Sequence, residues 1–219
     1  RQTSGPERSG RLVSRKTPAG LRLEYVGVES EPPARQSSEK QDVAGRQTVR
    51  AEGDGMVISG PAVLKRVAFE GQDLDALQLA IFWDSEATPS VQAPLRYFFG
   101  GFTNAALESR PDQLTTRFPM PFRKQARLVL RGPAGGQADV SYCLEKWPQL
   151  PDDVLYFHAR YGEDKSTTGY LPYVALQTAG SGHFVGINLF DTGHNHGGGD
   201  TALIDPGTES PRVLHGVCG

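Results

Sequence analysis

The sequence predicts an all-β protein of antiparallel strands, a sandwich or barrel. Three observations carry this reading. The 219 residues include 26 Gly and 16 Pro, so uninterrupted stretches of the roughly ten residues a helix needs are scarce. Short apolar runs of strand length recur between Gly/Pro turns such as Gly132-Pro133-Ala134-Gly135-Gly136. Helical periodicity is almost absent, and many short strands joined by such turns build sandwiches or barrels. The chain is long enough to bury a substantial core.

Composition sets the first part of the chain apart. Residues 1–54 are rich in Ser, Arg, Gln, Glu and Pro, a polar and partly disordered composition with too little apolar surface to offset the entropy of ordering. One short strand is predicted there at 21–26, where Leu21, Leu23 and Tyr25 alternate with polar residues. Residues 55–150 and 151–219 both carry strand patterns, and the family resemblance given below implies a first antiparallel jelly-roll β-sandwich in the former and the start of a second, incomplete one in the latter. Within the first, strands are expected at 62–69 and 76–83. In the latter run Leu77, Leu79, Ile81 and Trp83 share one face, while Ala80 and Phe82 make the other face apolar too. A strand apolar on both faces is a central strand. A helix is the competing reading of this run, and the aromatic and β-branched residues at its end favour a strand. Further strands are expected at 126–130, 138–144, 154–161, 170–178, 183–190, 201–204 and 212–215. Leu77, Leu79, Ile81 and Phe184 should be buried.

Several function classes are excluded. The 23 basic and 25 acidic side chains leave a net charge of −2, which gives no field for gathering nucleic acid or an anionic membrane. No run approaches the ~20 apolar residues of a membrane span, and Arg1–Arg11 lacks the apolar core of a signal peptide. Localisation stays open. Cys143 and Cys218 lack the spacing of a metal or redox pair and read as two thiols, with a disulfide as the alternative. There is no phosphate-binding Gly loop and no nucleophile elbow, which sets aside nucleotide chemistry and serine hydrolysis. No cofactor is expected.

Three motifs carry chemistry or geometry. His194 and His196, with Asp191 and Asp200 nearby, invite a metal, because imidazole and carboxylate suit zinc or iron. A cupin carries such a His pair on a strand with a Glu close behind. Here the pair lies in a Gly-rich loop and the next Glu is Glu209, so an exposed, metal-free loop is the reading. In Phe118-Pro119-Met120-Pro121-Phe122-Arg123 two prolines force extended backbone, so Phe118, Met120 and Phe122 project in a set order, as in a core-plugging edge segment. Trp83-Asp84 closes the central strand. An indole stacks on sugar rings and a carboxylate holds hydroxyls; the competing reading is a buried Trp with Asp capping the turn.

Read together, the segments resemble one family. Residues 80–84 (AIFWD), 89–100 (PSVQAPLRYFFG), 118–127 (FPMPFRKQAR), 156–159 (YFHA) and 182–186 (GHFVG) resemble its motifs in order and spacing. So do Gly198-Gly199-Asp200, Ile204-Asp205 and 211–216. The family is glycoside hydrolase family 172, formerly a domain of unknown function (DUF2961), and the resemblance runs from about Gly55 to Gly219. It implies jelly-roll protomers assembled as a homotrimer or a multiple of one. It also implies retaining hydrolysis or transfer of α-D-fructofuranosides, including difructose dianhydride I, or of α-D-arabinofuranosides. The family's catalytic Glu motif begins at the position of Gly216, and the sequence there reads Gly216-Val217-Cys218-Gly219, so both catalytic carboxylates are expected beyond Gly219 and none within the chain. Two further departures are Arg96-Tyr97, where the family has a small or polar residue and then an acid, and residues 1–55, where the family's N-terminal motif is not recognisable.

The sequence thus reads as part of a furanoside-acting glycoside hydrolase, inactive over residues 1–219, with Trp83, Asp84, His158 and Asp200 lining a sugar groove. A carbohydrate is the expected partner; nucleic acid, membrane and metal are not. The rival readings are a non-catalytic carbohydrate-binding or scaffold jelly roll and a metal-dependent cupin-like enzyme. Elemental analysis of the purified protein should find no stoichiometric zinc or iron; a bound metal that is lost in His194→Ala would establish the cupin-like alternative.

Overall fold

The computed structural model describes residues 9–17, 20–28, 40–100, 103–163, 174, 176–188, 200–204 and 212–216, some of the strand residues by their backbone alone. Residues 1–41 and 42–219 form two compact units. In the first, β1 (Ser9–Thr17) and β2 (Gly20–Val28) pair as an antiparallel hairpin in which Leu12 faces Tyr25. The expected strand at 21–26 lies inside β2.

The second unit holds the sandwich. Its strands are β3 (Gln41–Arg50), β4 (Met56–Ser59), β5 (Ala62–Glu70), β6 (Gln78–Trp83) and β7 (Val91–Pro94). After the helix α1 (Leu95–Phe99) come β8 (Leu107–Ser109), β9 (Gln113–Thr116), β10 (Met120–Phe122), β11 (Gln125–Arg131), β12 (Gln137–Lys146) and β13 (Ala159–Arg160). One sheet runs β3-β12-β5-β9-β8, with β10 also on β5; the other runs β13-β7-β6-β11-β4. The inner orders β3-β12-β5-β9 and β4-β11-β6-β7 have the interleaving of a jelly roll, in which the chain changes sheet at nearly every connection. A separate hairpin, β14 (Asp200–Ile204) with β15 (Arg212–Gly216), is antiparallel.

The core lies between the two sheets. Leu77, Leu79 and Ile81 are buried as their alternation requires, with Trp83 at the end of the same face. β6 is third of five in its sheet, and its outer face is covered as well: Ala80, Phe82 and Val129 form a small apolar cluster there. The Arg127 guanidinium lies 4.0 Å from the Phe82 ring centroid, so its long side chain shields the ring while keeping charge at the surface.

β5 serves two partners on one side. Its first half pairs with β10 (Leu64 opposite Met120) and its second with β9 (Val67 opposite Thr116). Opposite β12, Arg66 faces Cys143 and Leu64 faces Leu144, so Lys65 is an extra residue. This bulge shifts the alternation by one, which lets both Leu64 and Val67 point into the core. The Pro-bracketed segment behaves as its geometry dictates: Met120 and Phe122 are fully buried, and Phe118 is half-buried against the core.

The strands of the sandwich extend from Gln41 to Arg160. β3 is polar because it is an edge strand on which only Val49 is fully buried. Residues 151–160 stay with the first sandwich, since β13 pairs in parallel with β7. The short α1 was not foreseen. Leu95, Phe98 and Phe99 anchor it in the core. Arg96 pins it by hydrogen bonds to the Asp75 carboxylate, the Ser109 hydroxyl and the carbonyls of Arg110 and Pro111. Arg96 therefore has a structural use.

Three expected strands are corrected. Only 159–160 of the 154–161 run is strand, and the described parts of 170–178 and 183–190 carry none. Phe184 is 67% exposed rather than buried. Its segment alternates like a strand, but among the described residues no neighbouring strand pairs with it, and alternation without a paired surface buries nothing. The His194/His196 loop lies outside the described residues.

Trp83 and Val57 make a direct test of this core. Trp83 is 0% exposed and Val57 55%. Trp83→Ala should cost about 3–5 kcal/mol in urea unfolding, whereas Val57→Ser should stay within about 0.5 kcal/mol. Equal losses would contradict the assignment of faces.

Candidate functional site at the end of the central strand

β6 ends at a corner where the chain twice crosses between sheets, at Gly60-Pro61 from β4 to β5 and at Arg123-Lys124 from β10 to β11. The crossings touch. Gly60 N–H donates to the Lys124 carbonyl at 2.7 Å, and a Cβ on Gly60 would lie 2.9 Å from the Phe122 ring, so only glycine fits there.

Trp83 seals this corner from inside. Its indole stacks on Phe122 with ring centroids 6.2 Å apart and 12° between planes. Its Nε1–H donates to the Phe157 carbonyl at 2.7 Å, which satisfies a buried donor and ties residues 156–158 to the core. Phe157 in turn stacks on Phe118 at 5.3 Å.

Asp84 gathers the outside of the corner. It sits in left-handed backbone at φ 54°, a conformation Asp tolerates better than most residues. Oδ1 accepts the backbone N–H groups of Arg123 (3.1 Å), Lys124 (2.5 Å) and Gln125 (3.1 Å). Oδ2 accepts the Tyr156 hydroxyl at 2.5 Å. The Arg123 guanidinium lies 5.3 Å from the Tyr156 ring centroid and donates to the carbonyls of Pro151, Asp152 and Val154. Glu86 accepts from Trp83 N–H at 3.3 Å and from the buried Ser90 hydroxyl at 2.7 Å. Asp84, Glu86, Arg123, Lys124 and Tyr156, with Trp83 and Ser85, line an open hollow of about 430 Å³.

The electrostatics favour a fixed charge. Burial pushes the Asp84 carboxyl upward, the largest single effect, but the Tyr156 hydroxyl and the three amides together hold it below its ordinary value of 3.8. Tyr156 is pushed up from 10.0 by burial and by donating to Asp84. A carboxylate with both oxygens engaged is held in one place, and Asp84 organises the corner.

Of the four residues singled out from sequence, Trp83 and Asp84 are neighbours here, and His158 belongs to the segment that Trp83 and Asp84 hold. Trp83 is fully buried, so its indole works in the core. His158 is exposed, one residue beyond the carbonyl bound by Trp83. Asp200 opens β14, opposite Gly216 on the separate hairpin. Sequence reasoning left Arg123 and Tyr156 out of the groove. Arg123 and Tyr156 lie inside motifs already recognised, but no sequence spacing shows that they meet Asp84.

Residues 36–142 match a family model described as GH172 domain-like, a span that opens before β3 and runs into β12. These residues belong to the GH172 family. No curated protein matches the chain. The relation ties the jelly roll to glycoside hydrolases and hence to carbohydrate as a substrate class. Within this GH172 domain, the FPMPFR segment supplies both the Phe122 that stacks on Trp83 and the Arg123 amide that Asp84 binds.

Asp84→Ala should destabilise the GH172 domain by about 2–4 kcal/mol at pH 7, through lost charged hydrogen bonds and left-handed strain. Asp84→Asn, which keeps an acceptor, should cost less. Because the folded carboxyl is held below its ordinary value, its stabilisation is complete above pH 3.8 and fades as pH falls through the lower folded value. The stability gap between wild type and Asp84→Asn, measured in urea from pH 7 to pH 3, should therefore narrow on acidification. A constant gap would show that the charge contributes nothing.

Proposed function

We propose that this chain contributes the first jelly roll of a retaining, furanoside-acting glycoside hydrolase of the α-D-fructofuranosidase or α-D-arabinofuranosidase type. The observation that carries the reading is the GH172 match, which falls on the sandwich itself; the motif resemblance continuing to Gly216 supports the finer assignment. In this reading residues after the first sandwich enter a second one, and protomers assemble as a homotrimer or a multiple of one. Asp84, His158 and Asp200 face the sugar groove and Trp83 backs it.

The chemistry needs two carboxylates about 5 Å apart, one attacking the anomeric carbon and one protonating the leaving oxygen. The engaged state of Asp84 supports assigning both roles elsewhere, to carboxylates that follow the Gly216 position in the family pattern. Residues 1–219 then hold and shape the groove without completing it. Binding alone lowers no barrier unless the transition state is held more tightly than the substrate.

The same engagement of Asp84 supports the alternative of a non-catalytic carbohydrate-binding jelly roll. Assays separate the two readings. Residues 1–219 should not hydrolyse aryl α-D-arabinofuranoside or difructose dianhydride I, while a protein extended through the catalytic Glu motif should hydrolyse at least one furanoside with retention, read by NMR of the first-formed anomer. Turnover by residues 1–219 would overturn the catalytic assignment, and an extended protein inactive on every furanoside would favour the binding module.

A further inference from the structure

The hollow at Asp84 contains two charged groups that the corner does not use up. Asp84 has both oxygens engaged, Tyr156 gives its hydroxyl to Asp84, and the Arg123 guanidinium serves three carbonyls. Glu86 is only half used. Its Oε2 accepts the Trp83 N–H at 3.3 Å and the Ser90 hydroxyl at 2.7 Å, and its own N–H donates to the Trp83 carbonyl at 3.1 Å. Ser90 is buried and its N–H donates to the Ile81 carbonyl at 2.9 Å, so this grip on Glu86 comes from the core. Among the described residues none donates to Glu86 Oε1. Lys124 is held by its backbone, with its N–H on Asp84 and its carbonyl accepting the Gly60 N–H at 2.7 Å. Its side chain is exposed, and among the described residues none accepts from its ammonium. Both side chains line the hollow of about 430 Å³, a volume within the range of small-molecule sites.

We propose that Glu86 and Lys124 are the hydroxyl-binding pair of this hollow and take two adjacent hydroxyls of a furanoside ring, one on Glu86 Oε1 and one on the Lys124 ammonium. The inference rests on the furanoside-acting reading above and names the groups that hold the sugar. A sugar hydroxyl donates one hydrogen bond and accepts others, whereas a carboxylate only accepts and an ammonium only donates. One of each in a single hollow therefore matches a diol: one hydroxyl donates to Glu86 and its neighbour accepts from Lys124. Hydrogen bonds to ionised partners are the stronger kind. Glu86 is fixed before the sugar arrives, so its half of the contact carries little ordering cost, and the flexible stem of Lys124 supplies reach. The labour at the corner is divided. Asp84 holds the backbone, and the two residues beside its bonds present charge to the ligand. Their opposite charges offset each other, which suits a neutral sugar over an ionic one.

Amide NMR titration of isotope-labelled residues 1–219 with methyl α-D-arabinofuranoside and its 2-deoxy and 3-deoxy analogues tests this. The parent sugar should move the amides of Ser85, Glu86 and Lys124, and each deoxy analogue should bind about tenfold more weakly. Glu86→Gln keeps an oxygen for Ser90 and the Trp83 N–H but turns the unused acceptor into a donor. Lys124→Ala removes the ammonium and leaves the backbone bonds in place. Each variant should weaken the parent sugar about tenfold. One deoxy penalty should vanish in Glu86→Gln and the other in Lys124→Ala, a coupling that a structural role alone does not produce. Amide shifts unchanged away from the corner identify folded variants. Parent-sugar affinity unchanged in either variant, or deoxy penalties that persist in both, would overturn the pair and leave the furanoside reading intact. No binding by residues 1–219, with an extended protein that still cleaves a furanoside, would do the same. Neither binding nor cleavage would remove both.

Discussion

The carboxylate of Asp84 meets a requirement that any jelly roll creates at its corners. A strand that leaves one sheet for the other carries amides that belong to neither ladder, and such groups need acceptors. At the Arg123-Lys124 crossing one carboxylate oxygen accepts three consecutive amides. Ionised acceptors make such bonds stronger than neutral ones. The second oxygen holds the Tyr156 hydroxyl, so the bond set that closes the corner also determines where the chain goes after the last long strand. With Trp83 bound to the Phe157 carbonyl and β13 added to β7, residues 151–160 become part of the sandwich.

This arrangement bears on function through what it withholds. A carboxylate fully engaged by amides and a phenol, and held below its ordinary value, is suited to holding shape. The sandwich supplies a wall: Trp83 and Phe122 inside, Asp84 and Tyr156 at the rim, and His158 exposed next to the carbonyl that Trp83 binds.

The central strand was legible because burial on both faces leaves its signature in composition: every residue from Leu79 to Trp83 is buried. β5, β11 and β12 were read nearly to their ends for a related reason, since paired strands with one face on the core alternate strongly. Edge strands escape such reading. β3 meets solvent along most of its length, so its sequence resembles a polar linker, and β8 to β10 are too short to establish a period. The segment around Phe184 shows the opposite error, an alternating pattern with no paired surface to bury it.

The sequence by itself determined the fold class, the central strand and its buried face, the extended Pro-bracketed segment and the family relation, because these depend on local backbone preference, on periodicity and on ordered motifs. The tertiary structure alone decided what the motif residues do. That Asp84 binds Tyr156 and the turn at Arg123, that Trp83 works inside the core, and that Tyr97 lies against Tyr161 depend on strands distant in sequence being brought together by the sheet crossings. Nothing in the spacing of one strand encodes which side chain another will place beside it.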